Sequence, residues 1–522
     1  MWKKARVVAV LKPNKPKNEI TSYRPISLLS CGYKLFERCI LARIRLIIED
    51  VIPKEQAAFQ KDRNCCELVL SLTNFIELGF EKEMKTGVVF VDLSAAYDTV
   101  WKRGLMLKLS AIIPCRQTLT LIMDMLSDRN LQVTINGKES RMRILNNGLP
   151  QGSALSSILY CLYTSDLPLN TRSRLFIYAD DIAIAFQAKS FSEIEAALQH
   201  DLNMLSDYFK LWRLRPNVGK TVHCIFHLNS HRANKTLNLQ MNGDIVEYEP
   251  KPVYLGTTLD RTLTFRFHIE KTTKKLQSRI NVVRKLAGTK WGCHAKTLRI
   301  TTTALVISTA SYNAPVWMMS AHAPKIDVEI NSALRVVCGA VDSTPVPWLY
   351  AISNIAPHHV VREEAAIREC QRISNNTELP LFRDIETAPT ELRLKSRSPF
   401  WCFYRNISSM EDYKSRWKEW WRNVSVKNKE IVADPTETIS GQELSRHTWV
   451  KLNRIRTGHG CCAYMLHKWK YSDNPNCECG SIQTMEHIWR DCPIHRFNGS
   501  LSEIHQATDE AIQWINNLSV EI

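Results

Sequence analysis

Two carboxylates stand side by side between two apolar runs, in Leu175-Phe-Ile-Tyr-Ala-Asp180-Asp181-Ile-Ala-Ile-Ala-Phe186, and no other stretch constrains the chain as strongly. The flanking runs are aromatic and β-branched, and only a small alanine and the two acids separate them, which predicts a tight hairpin with buried arms. Adjacent ionised carboxylates at the lip of such a hairpin repel each other and lose hydration, so a cation or a set of donors has to compensate them. A divalent metal is one compensator. An ordinary Asp-rich turn is the other reading of these residues alone.

Charge narrows the partner. The 522-residue chain has a formal net charge of +17, with 44% hydrophobic and 23% charged residues. That composition builds a globular core, and the basic excess suits a polyanion, because each phosphate neutralised releases counterions. Nucleic acid is the leading candidate and an anionic membrane surface the second. No stretch approaches the roughly 18 uninterrupted apolar residues of a membrane span, and Met1-Trp-Lys-Lys leads into no signal-peptide core. The expected location is therefore the nucleus and cytoplasm, without secretion or membrane insertion. In such a compartment the sixteen cysteines are expected to be reduced and mostly buried.

Upstream of the hairpin, Val7 to Leu11 reads as a strand, followed by a Lys/Pro/Asn-rich loop and Tyr23-Arg24-Pro25-Ile26-Ser27-Leu28. Pro25 keeps Arg24 extended, so its guanidinium projects from a defined backbone. A helix is expected over 33–50, with Leu35, Phe36, Cys39, Ile40, Ala42, Ile44 and Ile47 as its apolar positions. After the connector from Glu55 to Arg63 comes a second helix, to about Glu83, and then the buried strand Val88 to Val91. Asp92 ends that strand, where it reads either as a site acid or as the cap of the helix beginning near Ser94. Asp98 reads as a helix-face or ion-pair residue. Leu131 to Gly137 carries the hairpin signal Asn136-Gly137, and Asn147-Gly148-Leu-Pro150-Gln151-Gly152-Ser153 precedes an apolar helix over 154–163. A glycine-bearing loop at a helix N-terminus lets backbone approach a phosphate or a base.

Downstream, Ser190-Phe-Ser-Glu193 has capping-box spacing. Ile194, Ala197, Leu198, Leu202, Leu205, Phe209 and Trp212 then form one apolar helix face. Lys220 lies in a loop before the strand Val222 to His227. From Arg261 to Ile300 eleven Lys/Arg face one acid, Glu270, a run that fits either a solvated face or a duplex backbone. Residues 371–400 read as a linker, and Trp417, Trp420 and Trp421 read as core packing ahead of base stacking. Near the end, Cys477-x-Cys479, seven residues, His487, four residues and Cys492 supply a full tetrahedral set for structural Zn²⁺.

Taken in order, an acid at a strand end, a glycine loop, an acidic hairpin and a lone lysine resemble a polymerase palm. The motif set is similar to that of the reverse transcriptases of non-LTR retrotransposons, the jockey-like ones above all. Tyr23 to Leu28 resembles the fingers motif, Asp92 to Asp98 motif A, Leu149 to Ser153 motif B, Tyr178 to Asp181 motif C, Asn217 to Thr221 motif D and Leu255-Gly256 motif E. The resemblance implies an α+β right-hand polymerase with fingers, a palm built on an antiparallel sheet with the acidic hairpin, and a helical thumb. A mainly helical C-terminal region with a small zinc-binding tail would follow. The implied boundaries are 1–260 for fingers and palm, 261–370 for the thumb, 371–470 for linker and helical region, and 471–522 for the tail. It further implies Asp92, Asp180 and Asp181 as ligands of two Mg²⁺ ions, Tyr97 as the gate against a ribose 2′-hydroxyl, Gln151 and Gly152 at the nascent base pair, and Arg24 and Lys220 near the triphosphate. The family's gate is commonly Phe; Tyr97 is of similar size.

The expected activity is RNA-directed DNA synthesis from a primer 3′-hydroxyl with dNTPs, on an RNA template and a DNA primer. A catalytically idle nucleic-acid binder left by a truncated element is the alternative. Met1 falls almost at the fingers, so the chain is expected to lack the endonuclease that precedes such polymerases, and no acidic constellation for ribonuclease H stands out between 360 and 470.

Overall fold

The computed structural model describes residues 2–13, 15–135, 137–168, 170–407 and 412–522. Backbone contacts divide the chain into two units. One comprises residues 1–263 with 372–401, and the other 264–371 with 402–522.

The first unit holds two five-stranded sheets. β1 (Lys4–Leu11) pairs antiparallel with β2 (Tyr23–Leu28) and parallel with β4 (Arg129–Ile135), which also carries the short strands β5 (Lys138–Glu139) and β6 (Arg143–Leu145). The β4–β5 hairpin forms where Asn136-Gly137 calls for it; Asn136 itself lies outside the described residues, and Gly137 has φ +76°.

The second sheet positions the acids. Its order is Glu247–Tyr248, β9 (Val222–Phe226), β3 (Lys85–Val91), β8 (Asp181–Ala188), β7 (Arg174–Tyr178), antiparallel except at the Glu247–Tyr248 edge. β3 is central and buried along its whole length, which its Val/Phe run requires. The helix Phe191–Leu211 covers one face with Ile194, Leu198, Leu202, Leu205 and Phe209, all within the unit's core cluster. A Cβ on Gly87 of β3 would come within 2.4 Å of Ile194, so helix and sheet meet there with no room for a side chain. The capping box expected at that helix is half built: Ser190 accepts from the amide of Ser192, while the full reciprocal box is found instead at Ser500 and Glu503.

Three expectations are corrected. The first helix, α1 (Cys31–Ile48), buries Tyr33, Glu37, Ile40, Ile44 and Ile48, whereas Leu35, Cys39 and Ala42 are exposed. The true stripe is rotated because a tyrosine and a glutamate take inward positions. Secondly, residues 371–400 are not a linker. Arg393 donates to the carbonyls of Phe80 and Glu81 at the end of α2 (Cys65–Glu81), and Arg397 pairs with half-buried Glu77 and donates to the Thr262 carbonyl at 2.9 Å. The Pro/Asn/Thr composition signals irregular backbone, but arginines fasten that backbone to the first unit. Thirdly, the residues around the C-terminal Cys/His cluster share one core with the helix Arg446–Thr457, through Leu452, Ile455, Met485, Ile488 and Ile504. They do not form a separate tail.

In the second unit, Trp417 and Trp421 are buried, and the Trp421 indole donates to the Val432 carbonyl at 3.1 Å, so these tryptophans are core. No helix among the described residues is long and apolar enough to cross a membrane.

Candidate active site

Register brings the acids together. Val91 of β3 pairs with Ile182 of β8, and Tyr178 pairs with Asp181 across the hairpin. One residue beyond Val91, Asp92 therefore stands beside the Ala179-Asp180 turn. Asp92 is not a helix cap. Its amide donates to Thr221 Oγ1 at 3.2 Å and its carbonyl accepts from the Asn217 amide at 2.8 Å, which ties the end of β3 to the loop that carries Lys220. Lys220 Nζ lies 3.5 Å from Asp92 Oδ2, on the acid itself.

The three carboxylates act on one another. Burial, and then the negative charges of Asp180 and Asp92, push the Asp181 carboxyl up to about 6. Asp180 is also raised, by burial first and by Asp92, while its own amide and the Arg24 guanidinium pull the other way. Asp181 nevertheless reaches solvent. An electron-rich, partly desolvated cluster open to water attracts a hard cation, and carboxylate oxygens are the donors that Mg²⁺ takes.

The glycine loop is fitted against both neighbours by backbone alone. The Gly148 amide donates to the Val100 carbonyl at 2.9 Å and the Leu149 amide to the Tyr97 carbonyl at 2.8 Å. Gly148 has φ +81°, and a Cβ there would lie 2.6 Å from the Asp98 carbonyl oxygen; at Gly152, φ +120°, it would lie 2.5 Å from that of Ser27. Ser27 in turn donates to the Gln151 carbonyl at 2.7 Å. The strand carrying Arg24 and the loop carrying Gln151 are thus one assembly. The Gln151 side-chain amide faces both oxygens of Asp98 at 3.5 Å, and the Tyr97 ring stacks on Tyr160 with centroids 4.8 Å apart.

Sequence reading passed over two residues here. Glu37, on the buried face of α1, accepts from the Ser153 hydroxyl and from the Ala154 amide, fixing the end of the glycine loop. An acid at a core-facing helical position was its signal. Gln56, in the connector between α1 and α2, reaches the Ala179 backbone. Nothing in its local sequence marks it.

In the other unit the ligand atoms of Cys477, Cys479, His487 and Cys492 all lie within 4.8 Å of one another, with Cys477 Sγ 3.7 Å from Cys492 Sγ and Cys479 Sγ 3.2 Å from His487 Nε2. Gly480, at φ +90°, makes the tight turn after the second cysteine.

A central sheet that sets an acidic hairpin beside a strand-end acid is the arrangement of a polymerase-like palm fold. Residues 12–259 match the reverse transcriptase (RNA-dependent DNA polymerase) family. Over this stretch the chain is similar to the reverse transcriptases of non-LTR retrotransposons. It is 32% identical over 348 residues to the probable RNA-directed DNA polymerase from transposon BS of Drosophila melanogaster, an alignment covering 64% of this chain and 38% of that protein. It is 29% identical over 372 residues to the RNA-directed DNA polymerase from mobile element jockey of the same fly, covering 68% and 39%. A Pol polyprotein of the type-1 retrotransposable element R1 from Bradysia coprophila aligns over 95% of this chain and 49% of its own length, at 23% identity. The chain thus spans less than half the length of each of these relatives.

Proposed function

We propose that this chain is the RNA-directed DNA polymerase of a non-LTR retrotransposon, extending a primer 3′-hydroxyl with dNTPs on an RNA template inside the cell. The observation that carries the reading is the convergence of Asp92, Asp180 and Asp181 at the end of one sheet, with a glycine loop fitted by backbone contacts to the Tyr97–Val100 segment that follows Asp92. Asp92, Asp180 and Asp181 would hold two Mg²⁺ ions. When bound, those ions supply the acidity that ionises the primer hydroxyl and the charge that stabilises the pyrophosphate leaving group.

The chain's own groups do the rest. Arg24, within electrostatic reach of Asp180, offers a bidentate donor to the triphosphate, and Lys220, ion-paired with Asp92, is a mobile cation able to turn from carboxylate to phosphate. Tyr97 is backed by Tyr160, so a ribose 2′-hydroxyl meets a ring that has nowhere to retreat. Gln151 and Gly152 present side-chain amide and bare backbone to the templating pair. Cys477, Cys479, His487 and Cys492 would hold one structural Zn²⁺, for which three thiolates and an imidazole are a matched donor set.

The test is incorporation on a primed RNA template with Mg²⁺. Wild type is expected to extend with dNTPs and not with rNTPs, and Asp180→Asn is expected to fall to background. Equal product from wild type and Asp180→Asn overturns the reading in favour of a catalytically idle nucleic-acid binder.

A further inference from the structure

The residue before the catalytic pair carries an unusual conformation. Ala179 has φ +56°, a left-handed backbone that a Cβ disfavours, and it is 6% exposed. In a two-residue turn its amide and carbonyl have no ladder partner, and burial denies them water. Both are met by a single side chain. Gln56 Oε1 accepts from the Ala179 amide at 2.8 Å, and Gln56 Nε2 donates to the Ala179 carbonyl at 3.4 Å.

Gln56 is itself held. It is 2% exposed, and its Oε1 also accepts from the Ala58 amide at 3.0 Å. Its segment runs alongside β7, with the Ala57 amide donating to the Ile177 carbonyl at 2.9 Å and the Ile177 amide donating to the Glu55 carbonyl at 3.1 Å. The connector is therefore an added edge to the hairpin, and its side chain reaches over the hairpin's end.

From this geometry we infer that Gln56 is a positioning residue for the metal site: it fixes the left-handed peptide of Ala179 and so aims the Asp180 and Asp181 carboxylates. The chemistry selects glutamine. The task needs an acceptor and a donor on one neutral group. Glutamate would add a fourth negative charge beside three acids, lysine could only donate, and asparagine is one methylene too short to span from the connector. The inference rests on the reading of the three acids as metal ligands, and the two can fail separately.

Mn²⁺ binding to the full chain with primed template, followed by electron paramagnetic resonance, tests it without relying on turnover. Gln56→Met keeps length and removes both hydrogen bonds. It is expected to weaken Mn²⁺ binding at least about tenfold and to lower kcat, with the Kd for primed template changed less than about twofold. Adding Ala179→Gly is expected to restore Mn²⁺ binding to within about threefold of wild type, because glycine takes positive φ unaided. A Gln56 that merely supported folding would show no such position-specific rescue. Wild-type Mn²⁺ affinity in Gln56→Met, or failure of Ala179→Gly to rescue, overturns the inference. Should Gln56→Met alone not fold, the double variant decides: it must fold and bind Mn²⁺. The metal-ligand reading fails instead if Asp180→Asn binds Mn²⁺ like wild type, whereas loss in Asp180→Asn with retention in Gln56→Met sinks the Gln56 role alone.

Discussion

Two regions of the chain concentrate charge of one sign, and they treat it in opposite ways. In the palm, Asp92, Asp180 and Asp181 crowd together, and among the described residues Lys220 and Arg24 offset them. In the second unit, the helix Arg446–Thr457 buries Arg446, Lys451, Arg454 and Arg456, and none of the four pairs with an Asp or Glu side chain among the described residues. Carbonyls meet them instead. Arg446 donates to Gly288, Val336 and Val337, Lys451 to Ile515 and Leu518, Arg454 to Gly339, and Arg456 to Ser440 and His505. Val336, Val337 and Gly339 lie at the C-terminal end of the helix Pro324–Cys338, where the dipole is negative. Buried charge alone therefore does not mark a functional site. Charge matched by fixed dipoles is architecture, and charge left crowded and open to water is a place for a ligand.

Neutralising one member of each group breaks or confirms that contrast. The largest effect is expected at the palm: Asp181→Asn should cut dNTP incorporation about 10³-fold, roughly 4 kcal/mol of barrier. Arg456→Leu is expected to cost about 3 kcal/mol of stability, because the Ser440 and His505 carbonyls and Asn453 Oδ1 lose their donor. Hydrogen exchange confined to the second unit would show it, and a variant as stable as wild type would make those carbonyl contacts incidental.

Acid should move the two regions in opposite directions. Burial holds His358 down to about 3 and His268 and His505 down to about 4, all in the second unit. Unfolding frees them to take protons near their ordinary value of about 6.5, so their stabilisation is full above that pH and is lost as pH falls toward 4. Asp181, raised to about 6, contributes the reverse: its stability term is full below the ordinary carboxylate value of about 3.9 and lost as pH rises through 6. Hydrogen exchange at pH 7 and pH 4.5 should thus show the second unit loosening first, and earlier loosening of the palm would contradict the assignment.

Smaller effects follow. Gly152→Ala, strained at φ +120° and driven into the Ser27 carbonyl, should cost about 1–3 kcal/mol and displace Gln151. The expected readout is a roughly tenfold loss of incorporation with the metal requirement unchanged. Least of all, Asp181→Asn without metal should melt slightly higher than wild type, by about 0.5 kcal/mol once solvent screening is allowed for.

The palm acids were legible in the sequence because the constraint on them is local and one-dimensional: apolar strands end, and acids stand at the ends. The motif order then led to Tyr97, Gln151 and Gly152 as the residues expected around the substrate. What escaped depends on contacts between distant segments. Gln56 acts across 123 residues, and its own neighbourhood reads as a loop. Residues 371–400 read as a linker because irregular backbone and free backbone share a composition; contacts such as the Arg397–Glu77 pair, 320 residues apart, distinguish them. The contact of Lys220 with Asp92 is likewise a geometry that spacing along the chain does not encode.

The clearance at Gly148 and Gly152 has a genetic consequence. At these two, the nearest atoms are the main-chain oxygens of Asp98 and Ser27. Every amino-acid replacement there adds at least a Cβ, so any missense change at either codon meets main chain that cannot swing aside, and the two codons are expected to tolerate the fewest alternatives in the loop.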